Sequence, residues 1–400
     1  MITATTRVGV VGAGAMGRGI AQVAAAAGHP VVLADARPAA AAGAREAIAH
    51  ALASLVAKGK LAADRRESIL ARITTADTTA DVRAPGAALS ALAPCGLVIE
   101  AIVEDLDAKR GLFAQLAAVA APDAVLATNT SSLSVAAMAA GCPSPERIIG
   151  LHFFNPPPVL PLVEVVPWAG TDPDVAEACV ALMTVWGKTA VQCSDTPGFI
   201  VNRVARPFYG EALRIAEEGF ASFATIDWAM RTIGGFRMGP FELMDFIGND
   251  VNFAVTQAIY TGFFHEPRFR PSLTQQRLVA AGWLGRKSGR GYYEYHEGAV
   301  PPVPVMDERL GATIVERIRA MLINEAVEAV RLGVASAEDI DLAMQQGVNY
   351  PRGLLAWCDE LGAGRVLETI ESLHAEYHEE RYRPSPLLRR AARHGIRFRR

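Results

Sequence analysis

The chain has 400 residues, of which 51% are hydrophobic, so we expect two or three domains, each with its own core. The formal net charge is -3 at pH 7, and no segment concentrates enough lysine and arginine to predict a nucleic-acid groove. No apolar run approaches the length that crosses a membrane, and the start of the chain lacks the pattern of a secretion signal. We therefore expect neither a nucleic acid nor a membrane as a partner.

The cysteines point to a reducing compartment. Their number is odd and none shows C-x-x-C spacing, which argues against a disulfide framework and against a zinc site. We expect a cytoplasmic protein without a metal. The five residues are Cys95, Cys142, Cys179, Cys193 and Cys358.

The N-terminal part alternates strand and helix patterns. Residues 7–12 (RVGVVG) form a β-rich run, a helical pattern covers Ala15–Ala27 and stops at Gly28, and a second strand pattern follows at 31–35. Further apolar strand candidates lie at 97–101, 124–129, 148–154, 162–166 and 189–193, with alanine-rich helical stretches between most of them. This alternation predicts an α/β fold with a doubly wound, Rossmann-type sheet.

Helical patterns dominate after a turn-forming segment, SDTPG, which places a domain boundary near residue 195. Residues 211–248 align without a gap on residues 325–362, and the Pro-rich stretch 296–306 reads as a linker between the two copies. We therefore predict an all-α C-terminal part made of two related helical copies. The predicted domains are 1–194 for the dinucleotide, 195–296 for the first copy and 305–400 for the second.

Three glycines spell G-x-G-x-x-G directly after the first strand and at the start of the helix. They permit a tight turn and close approach of a pyrophosphate, to which the helix N-terminus presents its N–H groups. Asp35, at the end of the second strand, is placed to accept the ribose hydroxyls of NAD, although nearby Arg37 leaves NADP open. A glycine turn without a ligand is the weaker alternative. The cofactor residues predicted here are Gly12, Gly14, Met16, Gly17 and Asp35.

A histidine and a glutamate lie in two apolar strand candidates. His152 alone would more often be a satisfied core side chain than a catalyst. Glu164, in LVEVV, would be costly to bury without a partner, and His152 is the obvious one. A glutamate beside an imidazole holds it in one tautomer, which suits a general base. The sequence therefore predicts a catalytic pair.

The segments TNTSSLS, GLHFFNP, LVEVV and DTPGFIVNR resemble the 3-hydroxyacyl-CoA dehydrogenase family, and the likeness covers essentially the whole chain. It implies NAD-dependent oxidation of an (S)-3-hydroxyacyl-CoA to the 3-oxoacyl-CoA, with His152 as base and Glu164 orienting it. It also implies that Ser131 and Asn202 hydrogen-bond the developing carbonyl region. Without the family, Ser131 reads as a cap or turn residue and Asn202 as a helix N-terminal residue.

The same resemblance implies more ligand contacts. On the residues alone, Glu104 reads as a helix-start charge and Lys109 as a solvated lysine. Lys58 and Lys60 are candidates for contacts with the phosphates of coenzyme A, but they fit ordinary surface charge equally well. Ser131 is a candidate for a contact with the substrate. Where many family members have lysine this chain has Pro161, which we expect at a strand start or edge. The additional cofactor contacts implied are Glu104, Lys109, Asn129, Asn155 and Lys287.

Two longer sequence segments indicate which acyl-CoA is the substrate. NRVARPFYGEA and DFIGNDVNFAVT resemble two-copy dehydrogenases of phenylacetate breakdown that act on 3-hydroxyadipyl-CoA. A second carboxylate needs a cation, for which Arg203, Arg206 and Arg237 are the candidates. The alternatives are 3-hydroxybutyryl-CoA in short-chain fatty-acid or butanoate metabolism, a catalytically idle NAD-binding interaction protein, and a 6-phosphogluconate-type dehydrogenase with a catalytic lysine.

The second helical copy lacks the site residues of the first. Glu316 stands at the position equivalent to Asn202, and there is no second HFFNP segment. We therefore interpret this copy as a scaffold that covers a surface which single-copy relatives bury by dimerising. A homodimer stays open.

Overall fold

The computed structural model describes residues 3, 5–37, 39–77 and 89–399. The chain divides into two compact units, the first ending at Asp195 and the second beginning at Thr196. Within the described ranges, no helix is both long and apolar enough to cross a membrane.

The first unit is built on a sheet whose order among the described strands is β3-β2-β1-β4-β5-β6-β7-β8. Strands β1 to β6 are parallel to one another, β7 is antiparallel to β6, and β8 is parallel to β7. The predicted doubly wound sheet is confirmed, and β1, from which the order runs both ways, leads into the glycine turn. The strands are β1 Val8–Val11, β2 Val31–Asp35, β3 Ile73–Asp77, β4 Leu97–Glu100, β5 Val125–Thr128, β6 Ile148–Phe153, β7 Leu162–Pro167 and β8 Thr189–Gln192.

Helices surround this sheet, and the predicted helix Ala15–Ala27 is confirmed at both ends. It stops because Gly28 takes the left-handed conformation (φ 113°), from which its N–H bonds the carbonyls of Ala24 and Ala25. The helix buries Ile20 and Val23 against the apolar strands. The other α-helices described in this unit are Ala40–Ala57, Ala63–Ala71, Leu106–Val119, Val135–Ala139 and Pro173–Val185.

The sheet reverses direction between β6 and β7, which the sequence patterns did not predict. Pro161 directly precedes β7, and its carbonyl accepts a hydrogen bond from the N–H of Thr189 (2.9 Å). Its predicted place at a strand start is therefore confirmed. The reversal sets His152 directly opposite Glu164 in the antiparallel register.

The second unit is helical, as predicted. Its longest helix, Glu308–Arg331, is buried on one face from Gly311 to Ile318 and on all sides from Ala320 to Ala329. The other helices are Val201–Val204, Arg206–Glu217, Phe223–Thr232, Pro240–Ile247, Asn249–Gly262, Leu273–Ala280, Ala337–Val348, Leu354–Leu361, Ala363–Tyr377 and Pro386–His394.

The repeat seen in the sequence is also a structural repeat. Asp227 accepts hydrogen bonds from the backbone N–H groups that begin one helix, and Asp341 does the same in the second copy. A glycine precedes each helix, Gly239 and Gly353, because a Cβ there would lie 2.3 Å from the aspartate carboxyl group. The bonds are Phe241 N (3.0 Å) and Glu242 N (2.9 Å) to Asp227, and Leu355 N (2.7 Å) and Ala356 N (3.0 Å) to Asp341.

Candidate active site

The glycine turn after β1 has a shape that only glycine allows. Gly12 has φ 105°, and a Cβ on it would lie 2.4 Å from the carbonyl oxygen of Ala101, just beyond β4. At Gly17 a Cβ would fall 1.7 Å from the carbonyl oxygen of Gly12, so the helix packs directly on the turn. The first and third glycines of the motif are therefore required by packing.

The second glycine is different, because space is open above it. Among the described residues, a Cβ on Gly14 would meet no atom within 4 Å, and no side chain caps the helix that starts there. The first-turn N–H groups of this helix are thus left for a ligand, and an anion is what a helix N-terminus attracts. Met16, in the first turn of this helix, is partly buried against the core. The turn fits the pyrophosphate of a dinucleotide.

Asp35 ends β2 beside this turn. Its Oδ2 accepts a hydrogen bond from Ala13 N (2.7 Å), and its Oδ1 accepts from Arg37 N (2.9 Å) and Arg37 Nε (3.1 Å). Burial alone would raise the pKa of Asp35, but these donors and the guanidinium charge hold that pKa below its ordinary value. Asp35 is therefore an anionic carboxylate beside the glycine turn, with an exposed arginine in front of it.

His152 and Glu164 form a buried pair. The Nδ1 of His152 lies 2.6 Å from Oε2 of Glu164, and the two residues are 6% and 0% exposed. Antiparallel register explains the contact, since directly opposite residues project from the same face of a sheet. Phe154 packs against the imidazole with its ring centroid at 4.5 Å. The glutamate therefore fixes both the orientation and the tautomer of the histidine.

Glu104 organises the loop that carries Ser131. Its Oε1 accepts hydrogen bonds from Thr130 Oγ1 (2.6 Å), Ser131 N (3.0 Å) and Ser132 N (3.2 Å). Burial would raise the pKa of Glu104, but Lys109 and these donors lower it below its usual value. Ser131 itself is held at its backbone, while its Oγ lies 3.5 Å from the same carboxylate oxygen.

Lys109 is buried, so the reading of it as a solvated lysine is wrong. It is 1% exposed, and its Nζ lies 2.6 Å from Oε1 of Glu100 and 3.3 Å from Oε2 of Glu104. Glu100 is not among the predicted residues; it is fully buried and also accepts a hydrogen bond from Thr128 Oγ1 (2.7 Å). The signal was present: a carboxylate in the apolar strand LVIE needs a partner for the same reason that Glu164 does.

Asn129 and Asn155 follow the ends of β5 and β6. The Oδ1 of Asn129 accepts a hydrogen bond from Phe153 N (2.9 Å), which ties the two strand ends together. Asn155 is exposed and precedes Pro156 through a cis peptide bond. Because β1 to β6 are parallel, their carboxyl ends share one edge of the sheet, where ligands of doubly wound folds bind. The predicted residues on this edge are Gly12, Gly14, Asp35, Glu104, Asn129, Ser131, His152 and Asn155.

Four further predicted residues belong to other elements of the chain. Lys58 and Lys60 are exposed in the turn that follows the helix Ala40–Ala57. Asn202 and Lys287 belong to the second unit. Asn202 is half-buried and its carbonyl accepts a hydrogen bond from Arg206 Nε (2.7 Å), whereas the Nζ of Lys287 pairs with Asp250 (2.6 Å).

Two family models match the chain. The model described as "3-hydroxyacyl-CoA dehydrogenase, NAD binding domain" matches residues 7–196. The model described as "3-hydroxyacyl-CoA dehydrogenase, C-terminal domain" matches twice, over residues 198–295 and 314–398. The double match agrees with the internal repeat.

Relatives of similar length and shorter relatives are both found. A 3-hydroxyadipyl-CoA dehydrogenase of Escherichia coli is 41% identical over 96% of this chain and 97% of its own length. A 3-hydroxybutyryl-CoA dehydrogenase of Mycobacterium tuberculosis is 42% identical over 74% of this chain and all of its own. A crystal structure described as 3-hydroxybutyryl-CoA dehydrogenase of Escherichia coli has a TM-score of 0.90 at 40% identity, covering 97% of this chain and 98% of its own.

Proposed function

The chain belongs to the 3-hydroxyacyl-CoA dehydrogenase family, and from this membership we propose which of its residues carry the reaction. It is an NAD-dependent oxidoreductase that converts a 3-hydroxyacyl-CoA to the 3-oxoacyl-CoA. The observation that carries the assignment is the buried 2.6 Å contact between His152 and Glu164. We assign the catalytic roles to His152, Glu164, Ser131 and Asn202.

The proton leaves the substrate through His152. With Nδ1–H donated to Glu164, the lone pair of Nε2 is the base that takes the proton of the C3 hydroxyl. The imidazolium that results is stabilised by a carboxylate from which water is excluded, since Glu164 is fully buried. Bound NAD supplies the acceptor for the hydride that leaves C3. The alcohol is of L (S) configuration by family likeness.

Ser131 and Asn202 are proposed to donate hydrogen bonds to the carbonyl region of the substrate. The hydroxyl of Ser131 suits an oxygen that gains negative character in the reverse, reducing direction. Glu104 is then a positioning residue, because it fixes the backbone of Ser131 and the flanking Thr130 and Ser132.

The glycine turn and the sheet edge are proposed to hold NAD. Asp35 would accept the ribose hydroxyls, and the open space at Gly14 would admit the pyrophosphate. The proposed contacts are Gly12, Gly14, Met16, Gly17, Asp35, Glu104, Lys109, Asn129, Asn155 and Lys287.

We propose 3-hydroxyadipyl-CoA, an intermediate of phenylacetate catabolism, as the substrate. The support is the two-copy relative from Escherichia coli with that name, which matches nearly the whole chain. The second candidate is 3-hydroxybutyryl-CoA, because the structure of TM-score 0.90 carries that name. Lys58 and Lys60 are proposed to meet the coenzyme A phosphates.

The experiment measures NADH formation by the purified protein with each thioester. A kcat/KM at least tenfold higher for 3-hydroxyadipyl-CoA supports the first candidate, and an equal or higher value for 3-hydroxybutyryl-CoA supports the second. Absence of activity on both, with NAD binding intact, would contradict the assignment of His152 as a working base.

Domain limits of 1–194, 195–296 and 305–400, a cytoplasmic location and a homodimer are further proposals. Among the described residues no cysteine forms a disulfide bond, and four of the five cysteines are buried, which suits a reducing compartment. Limited proteolysis tests the limits, since cuts would fall in the linker 296–306. Sedimentation velocity tests the homodimer.

A further inference from the structure

The three arginines that are candidates for a second substrate carboxylate differ sharply in their surroundings. Arg203 is buried and forms an ion pair with Glu325, in which the Nε of Arg203 lies 2.6 Å from Oε1 of Glu325. Arg237 is exposed, so water already solvates it. Arg206 is 7% exposed and forms no ion pair with any carboxylate among the described residues. Of the three arginines, only Arg206 is both buried and without a carboxylate partner among the described residues.

The groups around Arg206 are neutral. Its Nε donates to the carbonyl oxygen of Asn202 (2.7 Å), and one terminal nitrogen donates to Thr256 Oγ1 (3.1 Å). Its guanidinium lies over the ring of Tyr209, 4.9 Å from the centroid. Burial lowers the pKa of Arg206, and only tyrosines oppose that effect. A buried cation without a counter-charge is costly, and a bound anion removes the cost.

A second polar group nearby is also unsatisfied. Tyr350 is 6% exposed, and its hydroxyl has no hydrogen-bond partner within the described part of the chain. Burial and Tyr209 raise the pKa of Tyr350 well above its ordinary value. The charge of Arg206 opposes this rise, so Arg206 and Tyr350 interact electrostatically. A cation and a hydroxyl donor are the pair of groups that a carboxylate uses.

Arg206 also faces a cleft whose other buried arginines are paired. The cleft is lined by Arg206, Tyr209, Thr256 and Gln275, with Arg214 and Arg268 on its wall. Arg268 pairs with Glu325 (2.9 Å), and Arg214 lies 3.9 Å from Glu211. An anion that enters the cleft would therefore meet one unpaired buried charge.

We propose that Arg206 binds the distal carboxylate of a dicarboxylic acyl chain and thereby selects it over a monocarboxylic chain of equal length. This inference rests on the proposed function, in which Asn202 contacts the reacting end of the substrate. Arg206 follows Asn202 by four residues, about one helical turn or 5.4 Å. In a 3-hydroxyadipyl group three carbon–carbon bonds of about 1.5 Å separate C3 from the distal carboxyl carbon, a comparable span.

The test compares Arg206→Met with wild type on 3-hydroxyadipyl-CoA and 3-hydroxyhexanoyl-CoA, which have six acyl carbons each and differ in the distal carboxylate. We expect kcat/KM for the adipyl thioester to fall about 100-fold, and that for the hexanoyl thioester to change less than about threefold. Tyr350→Phe should show a smaller loss, again confined to the adipyl thioester. Arg206→Lys should restore part of the selectivity.

Arg309→Met is the matched control, since it removes an exposed arginine of the same unit and should alter neither value. Equal losses on both thioesters in Arg206→Met would overturn the inference, as would a variant that keeps the wild-type selectivity. If Arg206→Met does not fold, unchanged selectivity in both Arg206→Lys and Tyr350→Phe overturns it. A wild type without preference for the adipyl thioester would instead refute the proposed substrate.

Discussion

Arg203 donates from Nε to Oε1 of Glu325 over 2.6 Å, and this buried ion pair joins the two helical copies. The alignment that places residue 211 on residue 325 also places Arg203 on Arg317. Arg317 in turn pairs with Glu211 (3.1 Å), so each copy gives its arginine to the glutamate of the other. Such a reciprocal exchange is typical of an isologous interface between two subunits. Here it lies within one chain, which supports the interpretation of the second copy as a cover for the first.

Glu325→Gln should destabilise the second unit. The substitution leaves Arg203 and Arg268 buried without their shared counter-charge, which we expect to cost about 3–5 kcal/mol. Urea unfolding followed by tryptophan fluorescence measures the change in the free energy of unfolding. Glu316→Gln is the control, since its pair with Arg365 is exposed and should contribute less than about 1 kcal/mol. Equal effects of the two substitutions would refute the importance of the buried pair.

Periodicity in the sequence was sufficient for most of the fold. It predicted the helix Ala15–Ala27 and most strands because their burial is uniform along one face or on both faces. It did not predict β3, whose sequence ITTAD carries three polar residues in five. It also could not give the direction of β7, because a strand pattern looks the same in either orientation.

The sequence predicts the contact in which a single buried carboxylate needs a partner. It does not predict the contact in which two carboxylates share one lysine. Glu164 and His152 were matched by that reasoning, and the structure brings them together. The burial of Lys109 is not predicted, because its position in a helix does not show that Glu100 and Glu104 both lie next to its Nζ. The pairing depends on how β4 and the following helix pack, which spacing along the chain does not encode.

His152→Gln should abolish most turnover while the cofactor still binds. Glutamine keeps a polar group but offers no base for the C3 hydroxyl, and general-base catalysis contributes about 10²–10⁴-fold. Stopped-flow or steady-state NADH formation gives kcat, and fluorescence titration gives the Kd of NADH, which should change little. Glu164→Gln should lower kcat less, and Glu146→Gln, an exposed residue of the same unit, should lower it hardly at all. Normal turnover in His152→Gln would disprove the assignment.

Asp35→Ala should shift cofactor preference toward NADP. The substitution removes the carboxylate that a 2′-phosphate would meet and frees Arg37, which now bonds Asp35 at 2.9 Å and 3.1 Å. We expect kcat/KM for NAD to fall about tenfold or more, and that for NADP to rise. Asp107→Ala, which removes an exposed carboxylate, is the control. A parallel decline with both cofactors would mean that Asp35 shapes the turn without discriminating between them.

Glu328 should make stability depend on pH in the acidic range. It is 8% exposed; burial opposes its ionisation, but Arg331, Ser385 and Arg268 hold its pKa at about 2, below the ordinary 4.5. A carboxyl group whose pKa is depressed by folding stabilises the fold fully above its unfolded value, and that stability is lost as the pH falls toward the folded value.

Glu328→Gln should therefore lower the free energy of unfolding by about 3 kcal/mol at pH 7, by less at pH 3, and by almost nothing at pH 2. Urea unfolding at these pH values measures the difference between variant and wild type. Glu371→Gln, whose pair with Arg389 is exposed, should give a small and nearly pH-independent change. If Glu328→Gln destabilised the protein equally at pH 7 and pH 2, Glu328 would stabilise the fold through packing. A destabilisation caused by the lost negative charge must disappear once Glu328 is itself protonated in the wild type.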